Sequence, residues 1–83
     1  MRAEQMLPDQ TDRIECGGTT IRKGTVGAFL INARALTDPE TTPAERARAE
    51  ADALDALPAL RAIGLFDVME VRDPALRAWL DAR

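Results

Sequence analysis

The first regular pattern in the chain is an alternation of apolar and polar positions on either side of Gly17 and Gly18. Alternation with a period of two is typical of a half-buried β-strand. Two consecutive glycines suit a two-residue type I′ turn, because both central residues of that turn have a positive φ. The sequence therefore predicts a β-hairpin over residues 13–22, with Cys16 opposite Thr19. Its buried face is predicted to hold Ile14, Cys16, Thr19 and Ile21, and its outer face Arg13, Glu15, Thr20 and Arg22.

A helical period follows from about Thr25, the expected N-cap, to Leu36. We expect the hairpin to pack on this first helix. Its opposite side is also apolar, and a helix that is apolar nearly all round is buried on most sides. The helix is therefore expected either at the centre of its own domain or against a partner subunit. The predicted core stripe is Val26, Phe29, Leu30, Ala33 and Leu36, and the opposite apolar positions are Ala28, Ile31 and Ala35.

A second helix is predicted from a capping box, in which Thr42 precedes Pro43 at the first helical position and Glu45 lies at the third. Pro58 lacks an N–H group and disfavours a helical conformation in the residue before it, so we expect a break or kink there. A short helical piece would follow, with Gly64 as its C-cap. The predicted core stripe is Ala44, Ala47, Ala51, Leu54, Pro58, Ala62 and Leu65.

In the C-terminal part, the alternation over residues 66–71 allows a third short strand without requiring one, and a last helix is predicted to begin at Asp73 and Pro74. The apolar face of that helix would be Ala75, Leu76, Trp79 and Leu80. Residues 1–12 are polar and are expected to form a flexible N-terminal arm. The predicted fold is a small single α+β domain over residues 13–83, with the element order β-β-α-α-(β)-α.

Composition removes most catalytic chemistry. The chain has no histidine, tyrosine or serine, and Cys16 is its one cysteine. Without histidine, neither a Ser-His-Asp triad nor a four-ligand zinc site can be assembled, so Cys16 is interpreted as a small core residue. Asp67, Glu70 and Asp73 are interpreted as a solvated acidic rim, because Pro74 argues against one helix that would align them. The sequence therefore predicts no enzyme, no cofactor and no metal site.

The expected compartment is the cytoplasm, without contact to a membrane. The longest apolar run, Val26 to Ile31, is six residues long, whereas a spanning helix needs about 20. The first residues are charged and lack the apolar region of a secretion signal. One cysteine cannot form an intrachain disulfide, which fits a reducing environment.

The net charge of −3 makes nucleic acid an unexpected partner, since nucleic-acid binding calls for a basic stripe. Lys23 precedes Gly24, so the spacing of a phosphate-binding loop fails. A weaker candidate is an anion site formed by Arg22, Lys23 and Thr25 at the start of the first helix, where backbone N–H groups give a partial positive charge. The alternative is that these residues are solvated charges beside a helix cap.

Small size gives the main functional indication. Alanine accounts for 15 of 38 hydrophobic residues, which leaves 23 larger ones for a core, and self-association would bury more apolar surface. We therefore predict a non-enzymatic interaction or structural module that forms a homodimer, with any further protein partner unknown. The alternative is a ligand- or nucleic-acid-binding accessory protein that uses Arg13, Arg22 and Lys23. The candidate self-association face is Ala28, Ile31, Ala35 and Trp79, although Trp79 could instead anchor the last helix.

Overall fold

The computed structural model describes residues 13–83, and the arm predicted for residues 1–12 lies outside them. A two-stranded antiparallel hairpin followed by helices confirms the predicted α+β class. The elements are β1 (Arg13–Cys16), β2 (Thr19–Arg22), α1 (Thr25–Thr37), α2 (Pro43–Ala62), α3 (Leu65–Val68) and α4 (Pro74–Asp81).

The hairpin has the predicted register and the predicted buried face. Cys16 pairs with Thr19, and the turn residues Gly17 and Gly18 have φ values of 55° and 81°. Positive φ at both positions is what a type I′ turn requires. Ile21 is the most deeply buried residue of the hairpin, at 4% exposed.

The hairpin packs on α2, so the prediction that it packs on the first helix is wrong. The Cys16 thiol lies 3.4 Å from the carbonyl oxygen of Ala62, to which it donates a hydrogen bond across the contact. Ala59 and Ala62 have only methyl side chains, which lets the hairpin approach the last turns of α2 closely. Ile21 of β2 is buried at this contact. Cys16 is half-buried at this contact and is not among the residues of the core, so it packs at the edge of the domain and not in its core as predicted.

Helix α1 begins without a side-chain cap. Gly24, with a φ of 87°, is the residue before the helix, and Thr25 is its first residue rather than the predicted N-cap. The Thr25 hydroxyl instead donates to the carbonyl oxygen of Arg22 at 2.8 Å. The start of α1 is therefore held by the connection from β2, whose left-handed glycine turns the chain into the helix.

The core lies between α1 and α2. It consists of Phe29 and Ala33 from α1 and Ala53, Leu57 and Leu60 from α2. Leu60 is 0% exposed and is the largest fully buried side chain among the described residues. Partly buried side chains from α3 and α4 pack against this cluster.

The buried stripe of α2 differs from the predicted one. Leu57 and Leu60 face the core, whereas Leu54 is 38% exposed and Pro58 is on the surface. An alanine-rich helix offers several stripes of similar hydrophobicity, and the one chosen buries two leucines instead of one. The buried residues of α2 are Ala49, Ala53, Leu57, Ala59 and Leu60, while the predicted Ala44, Ala47 and Ala51 are exposed.

The start of α2 follows the prediction, but its middle does not. The Thr42 hydroxyl accepts the Glu45 backbone N–H at 3.2 Å, and Pro43 lies in the first turn. Of the two alternatives expected at Pro58, a break or a kink, the break is wrong, because one helix runs from Pro43 to Ala62. Proline removes only one backbone hydrogen bond, and the buried leucines on either side hold the helix in place.

Residues 65–68 form a helical turn, so the third strand that the alternation allows is absent from the described part of the chain. In a strand, Leu65 and Phe66 would point to opposite faces. In the helical turn both pack against the core, and the Phe66 ring meets Phe29 edge to face at 6.1 Å between centroids. The local alternation was therefore overridden by the packing of two consecutive large residues.

Helix α4 begins as predicted, with the Asp73 carboxylate accepting the Leu76 N–H at 2.9 Å. Of the predicted apolar face, Leu76, Trp79 and Leu80 pack against the core, but Ala75 is exposed. Within residues 13–83, no helix combines the length and apolar character needed to cross a membrane.

Candidate functional site

The most unusual surface in the structure is the side of α1 that points away from the core. Leu30 is 56% exposed and Ile31 is 72% exposed, although both lie in the middle of the helix. Successive residues turn by about 100° around a helix, so the burial of Phe29 and Ala33 directs these two side chains outward. Gly27 and Arg34 lie on the same side. We call Gly27, Leu30, Ile31 and Arg34 the outer face of α1.

The structure separates the residues of the predicted self-association face. Ile31 is freely exposed, whereas Ala28 lines a shallow groove against α2 and Ala35 is half-buried. The Ala35 carbonyl oxygen accepts a hydrogen bond from the Thr41 hydroxyl at 2.7 Å, which ties it to the following loop. Ala28 is also exposed at the edge of this groove, but Ile31 is the only one of these three with a large side chain in solvent. Its solvent exposure also means that α1 is not a central helix covered by its own described residues.

Trp79 anchors α4 and does not join Ile31. Its indole N–H donates to the Glu50 carboxylate at 3.3 Å, and the Arg83 guanidinium lies 4.8 Å from the ring centroid. Trp79 also lines a groove at the C-terminal end of α1, beside Leu36. Trp79 therefore fits the alternative in which it anchors the last helix. Its indole N–H and one face of its ring already contact residues of the same chain.

Beside the outer face of α1 lies an apolar groove that the sequence did not reveal. The groove has a volume of about 310 Å³ and runs between α1 and the segment that follows α3. Phe29 and Phe66 are at its base, and Val26, Leu30 and Met69 are on its rim. A strand at residues 66–71 gives no reason to expect this groove. The helical turn forms it by bringing Phe66 against Phe29 of α1.

The predicted anion site is placed beside acidic residues. Arg22 and Thr25 line a groove together with Asp52 and Asp55 of α2. Two carboxylates near one guanidinium oppose the binding of an anion. Arg22 and Lys23 are both exposed, as solvated charges at a helix start would be. The geometry therefore favours the alternative, in which Arg22, Lys23 and Thr25 are solvated residues at the start of a helix and not an anion site.

The outer face of the hairpin has little excess positive charge. Arg13 and Arg22 are directly paired across the strands, and in the next pair on the same face the Thr20 hydroxyl donates to the Glu15 carboxylate. Two cations and one anion give a small net charge, whereas nucleic-acid binding depends on neutralising many phosphates. With Lys23 added, the face still lacks the extended basic stripe that such a partner needs.

Among residues 13–83, no three acidic or cysteine side chains lie close enough to hold a metal ion. The acidic residues of the C-terminal part have structural partners instead. Glu70 forms an ion pair with Arg77 at 3.2 Å, and the Asp73 carboxylate caps α4. These contacts assign Glu70 and Asp73 to the ordering of the chain around α4.

Three comparisons complete the description of the site. No family model, no curated protein and no solved structure matches this chain. The outer face of α1 and the groove beside it are therefore the features of the chain that bear on its function.

Proposed function

We propose that this chain is a non-enzymatic, cytoplasmic interaction module that self-associates through the outer face of α1. The observation that carries the proposal is the exposure of two neighbouring large aliphatic residues, Leu30 and Ile31, at 56% and 72%. Single exposed apolar side chains are ordinary on protein surfaces, but contiguous apolar patches mark interaction sites. Here the patch continues through Val26 and Met69 along the groove.

The magnitudes are consistent with a weak or moderate association. Full burial of a large aliphatic side chain contributes about 1.5–3 kcal/mol. At the exposures of Leu30 and Ile31, the four side chains of a symmetric pair would contribute roughly 4–8 kcal/mol. Association itself costs about 4–15 kcal/mol. The rim residues Val26 and Met69 must therefore also contribute if the complex is to be stable.

The composition supports a binding role over catalysis. Histidine, serine and tyrosine are missing from the whole sequence, and these residues supply most general bases and nucleophiles. Cys16 donates its thiol hydrogen bond to a backbone carbonyl group. A single cysteine cannot form an intrachain disulfide, which supports the cytoplasm as the compartment.

The proposal is tested by solution mass, measured by light scattering after size exclusion at two concentrations about 50-fold apart. We expect a species of twice the 9.1 kDa monomer at the higher concentration. The variant Ile31→Asp should be monomeric at both concentrations and should keep its helical circular dichroism spectrum. The matched control is Ala51→Asp, which places the same charge on an exposed position of α2.

Two results would contradict the proposal. The first is a wild-type monomer at both concentrations. The second is an Ile31→Asp variant that dimerises as tightly as the wild type. Loss of the helical signal in Ile31→Asp would instead assign Ile31 to the folding of the monomer, which its exposure does not predict.

A further inference from the structure

We propose that the outer face of α1 in one copy of this chain enters the apolar groove of a second copy, and that the reverse contact forms at the same time. The inference rests on the proposed function, since it names the surface that receives the outer face of α1. Two observations carry it. The exposed apolar side chains gather at this place, and the outer face and the groove lie side by side along the same helix.

Most of the large apolar side chains in solvent belong to one continuous surface. Six such side chains are exposed among residues 13–83. Four of them lie on the outer face of α1 or on the rim of the groove, namely Val26, Leu30, Ile31 and Met69. A contact that covered the outer face alone would leave much of Val26 and Met69 in water. Their exposed fractions, 38% and 63%, together amount to about one whole large side chain per copy. A dimer that also covers the groove therefore removes more apolar surface from water to offset the cost of association.

The groove has room for a side chain from the second copy. A cavity of about 150 Å³ holds one benzene molecule, and the groove has a volume of about 310 Å³. An isoleucine side chain has four carbon atoms, fewer than benzene. Ile31 of the second copy therefore fits above Phe29 and Phe66 at the base of the groove.

The side-by-side arrangement suits two-fold symmetry. Leu30 is on the rim of the groove, and Ile31 is turned by about 100° from it and does not line the groove. A two-fold axis parallel to α1 and passing over Leu30 exchanges left and right, so that Ile31 of each copy faces the groove of the other. An axis across α1 would instead bring groove to groove. The first relation covers the outer face and the groove of both copies in one isologous contact. An unrelated helix lying in the groove would leave Ile31 in water, so a second copy is the occupant that covers most of this surface.

Charge does not select the orientation of the pair. Each end of α1 has charged residues of both signs nearby. They are Arg22, Lys23, Asp52 and Asp55 near its start, and Arg34, Asp38, Glu40 and Arg46 near its end. The parallel helix dipoles and the approach of the two Arg34 side chains oppose the proposed pair, but both effects are small at exposed sites. The long side chain of Arg34 also allows its guanidinium group to stay in solvent. Apolar burial therefore decides the arrangement.

Gly27 allows the second copy to come close. A Cβ atom at Gly27 would meet no atom within 4 Å in its own chain, and its φ is not in the positive range. Neither the packing nor the backbone conformation of the described residues therefore needs glycine at this position. Gly27 lies on the outer face one turn before Ile31. In the pair, the rim residue Met69 of the second copy lies over the missing side chain.

The first test compares two neighbouring residues in the full-length chain. Met69 is on the rim of the groove, whereas Val68 is more exposed, at 83%, and does not line the groove. Met69→Asp should raise the dimer dissociation constant at least about tenfold, because each dimer contains this contact twice. Val68→Asp is the matched control and should raise it less than about threefold. Sedimentation equilibrium measures both constants, and circular dichroism checks that each variant folds.

The second test is disulfide formation between copies, which introduces no charge. In a Cys16→Ala background, one chain has Ile31→Cys and the other has Met69→Cys, so a disulfide between these positions joins two copies. The bond needs Cα atoms within about 7 Å of each other, which the proposed contact allows. We expect the mixture to form this heterodimer under mild oxidation, identified by mass spectrometry. A mixture of Ala51→Cys and Met69→Cys is the control and should form no such heterodimer, because Ala51 is exposed on α2.

The outcomes separate this inference from the proposed function. Suppose that the wild type dimerises and Ile31→Asp abolishes the dimer. If Met69→Asp then leaves the dissociation constant unchanged, or no disulfide joins positions 31 and 69, the inference is wrong and the proposed function stands. If Val68→Asp weakens the dimer as much as Met69→Asp, the added charge and not the groove explains the effect, and the inference is also wrong. If the wild type is monomeric throughout, both fail.

Discussion

The helices α1 and α2 pack against the same core, but their outer sides differ. The outer side of α2 exposes Arg48, Asp52 and Asp55 among alanines, and its one exposed large aliphatic side chain is Leu54, at 38%. The outer face of α1 instead exposes Leu30 and Ile31. Since the exposed side of α2 carries charged residues and a single partly exposed leucine, the domain folds with a helix whose outer side is less apolar than that of α1. The difference supports the proposal that the outer face of α1 contacts a partner.

The two helices also begin differently. Thr42 caps α2 with its side chain, and Pro43 fits the first helical turn. Helix α1 begins after Gly24 without such a cap, so its stability depends more on what packs against it. A helix with a weak start and an apolar outer side gains more from a partner than a helix that is well capped and polar outside.

The largest expected effect distinguishes an inner from an outer leucine. Leu60→Ala should lower the free energy of unfolding by about 3–5 kcal/mol, because it leaves a cavity at a fully buried position. Leu30→Ala should lower it by less than about 1 kcal/mol at concentrations where the chain is monomeric. Urea unfolding followed by circular dichroism measures both. Equal losses would place Leu30 in the core and remove the outer face of α1 as a site.

An intermediate effect is expected at the helix starts. Thr42→Ala should lower the free energy of unfolding by about 1 kcal/mol, because the Glu45 N–H loses its acceptor. Thr25→Ala is the matched comparison and should lower the free energy of unfolding by only a few tenths of a kcal/mol. The Thr25 hydroxyl donates to an exposed carbonyl oxygen and caps no N–H group. Thermal unfolding at low protein concentration compares them. A larger loss for Thr25→Ala would contradict this account of how α1 begins.

The smallest expected effect is at Gly27, where one substitution should stabilise the monomer and weaken the dimer. Gly27→Ala should raise the free energy of unfolding of the monomer by about 0.5–1 kcal/mol, because alanine favours the helix and its Cβ meets open space. The same methyl group should weaken the dimer, since it occupies the space proposed for the second copy. Unfolding at low concentration and sedimentation at high concentration measure the two effects. A more stable monomer with an unchanged dissociation constant would contradict close approach at Gly27.

Local signals in the sequence predicted the points where the chain turns or starts a helix. The hairpin register followed from Gly17 and Gly18, and the starts of α2 and α4 followed from threonine or aspartate before proline. These features depend on a few neighbouring residues, whose backbone preferences act over one turn. The candidate site was predicted only in part. Ile31 was identified as an outward residue, but Leu30 was wrongly assigned to the core stripe and Trp79 was grouped with Ile31, because sequence does not show which helix surfaces meet.

The errors share one cause. The α2 stripe, the passage of α2 through Pro58, and the helical turn at Leu65 and Phe66 were each decided by contacts between distant residues. In an alanine-rich helix, adjacent stripes differ little in hydrophobicity, so the best fit of Leu57 and Leu60 against Phe29 selects the orientation. The sequence alone could not rank these alternatives, because their energies depend on which surfaces meet.

The sequence by itself determined the α+β class, the hairpin and its register, the caps of α2 and α4, and the lack of histidine-based chemistry. Backbone geometry and residue type suffice for these features. Only the tertiary structure decided that the hairpin lies on α2, that Trp79 is tied to Glu50, and that Leu30 and Ile31 remain outside. Burial is a property of the assembled surfaces, so the apolar outer face of α1 became visible only after the core had taken its side chains from the opposite face.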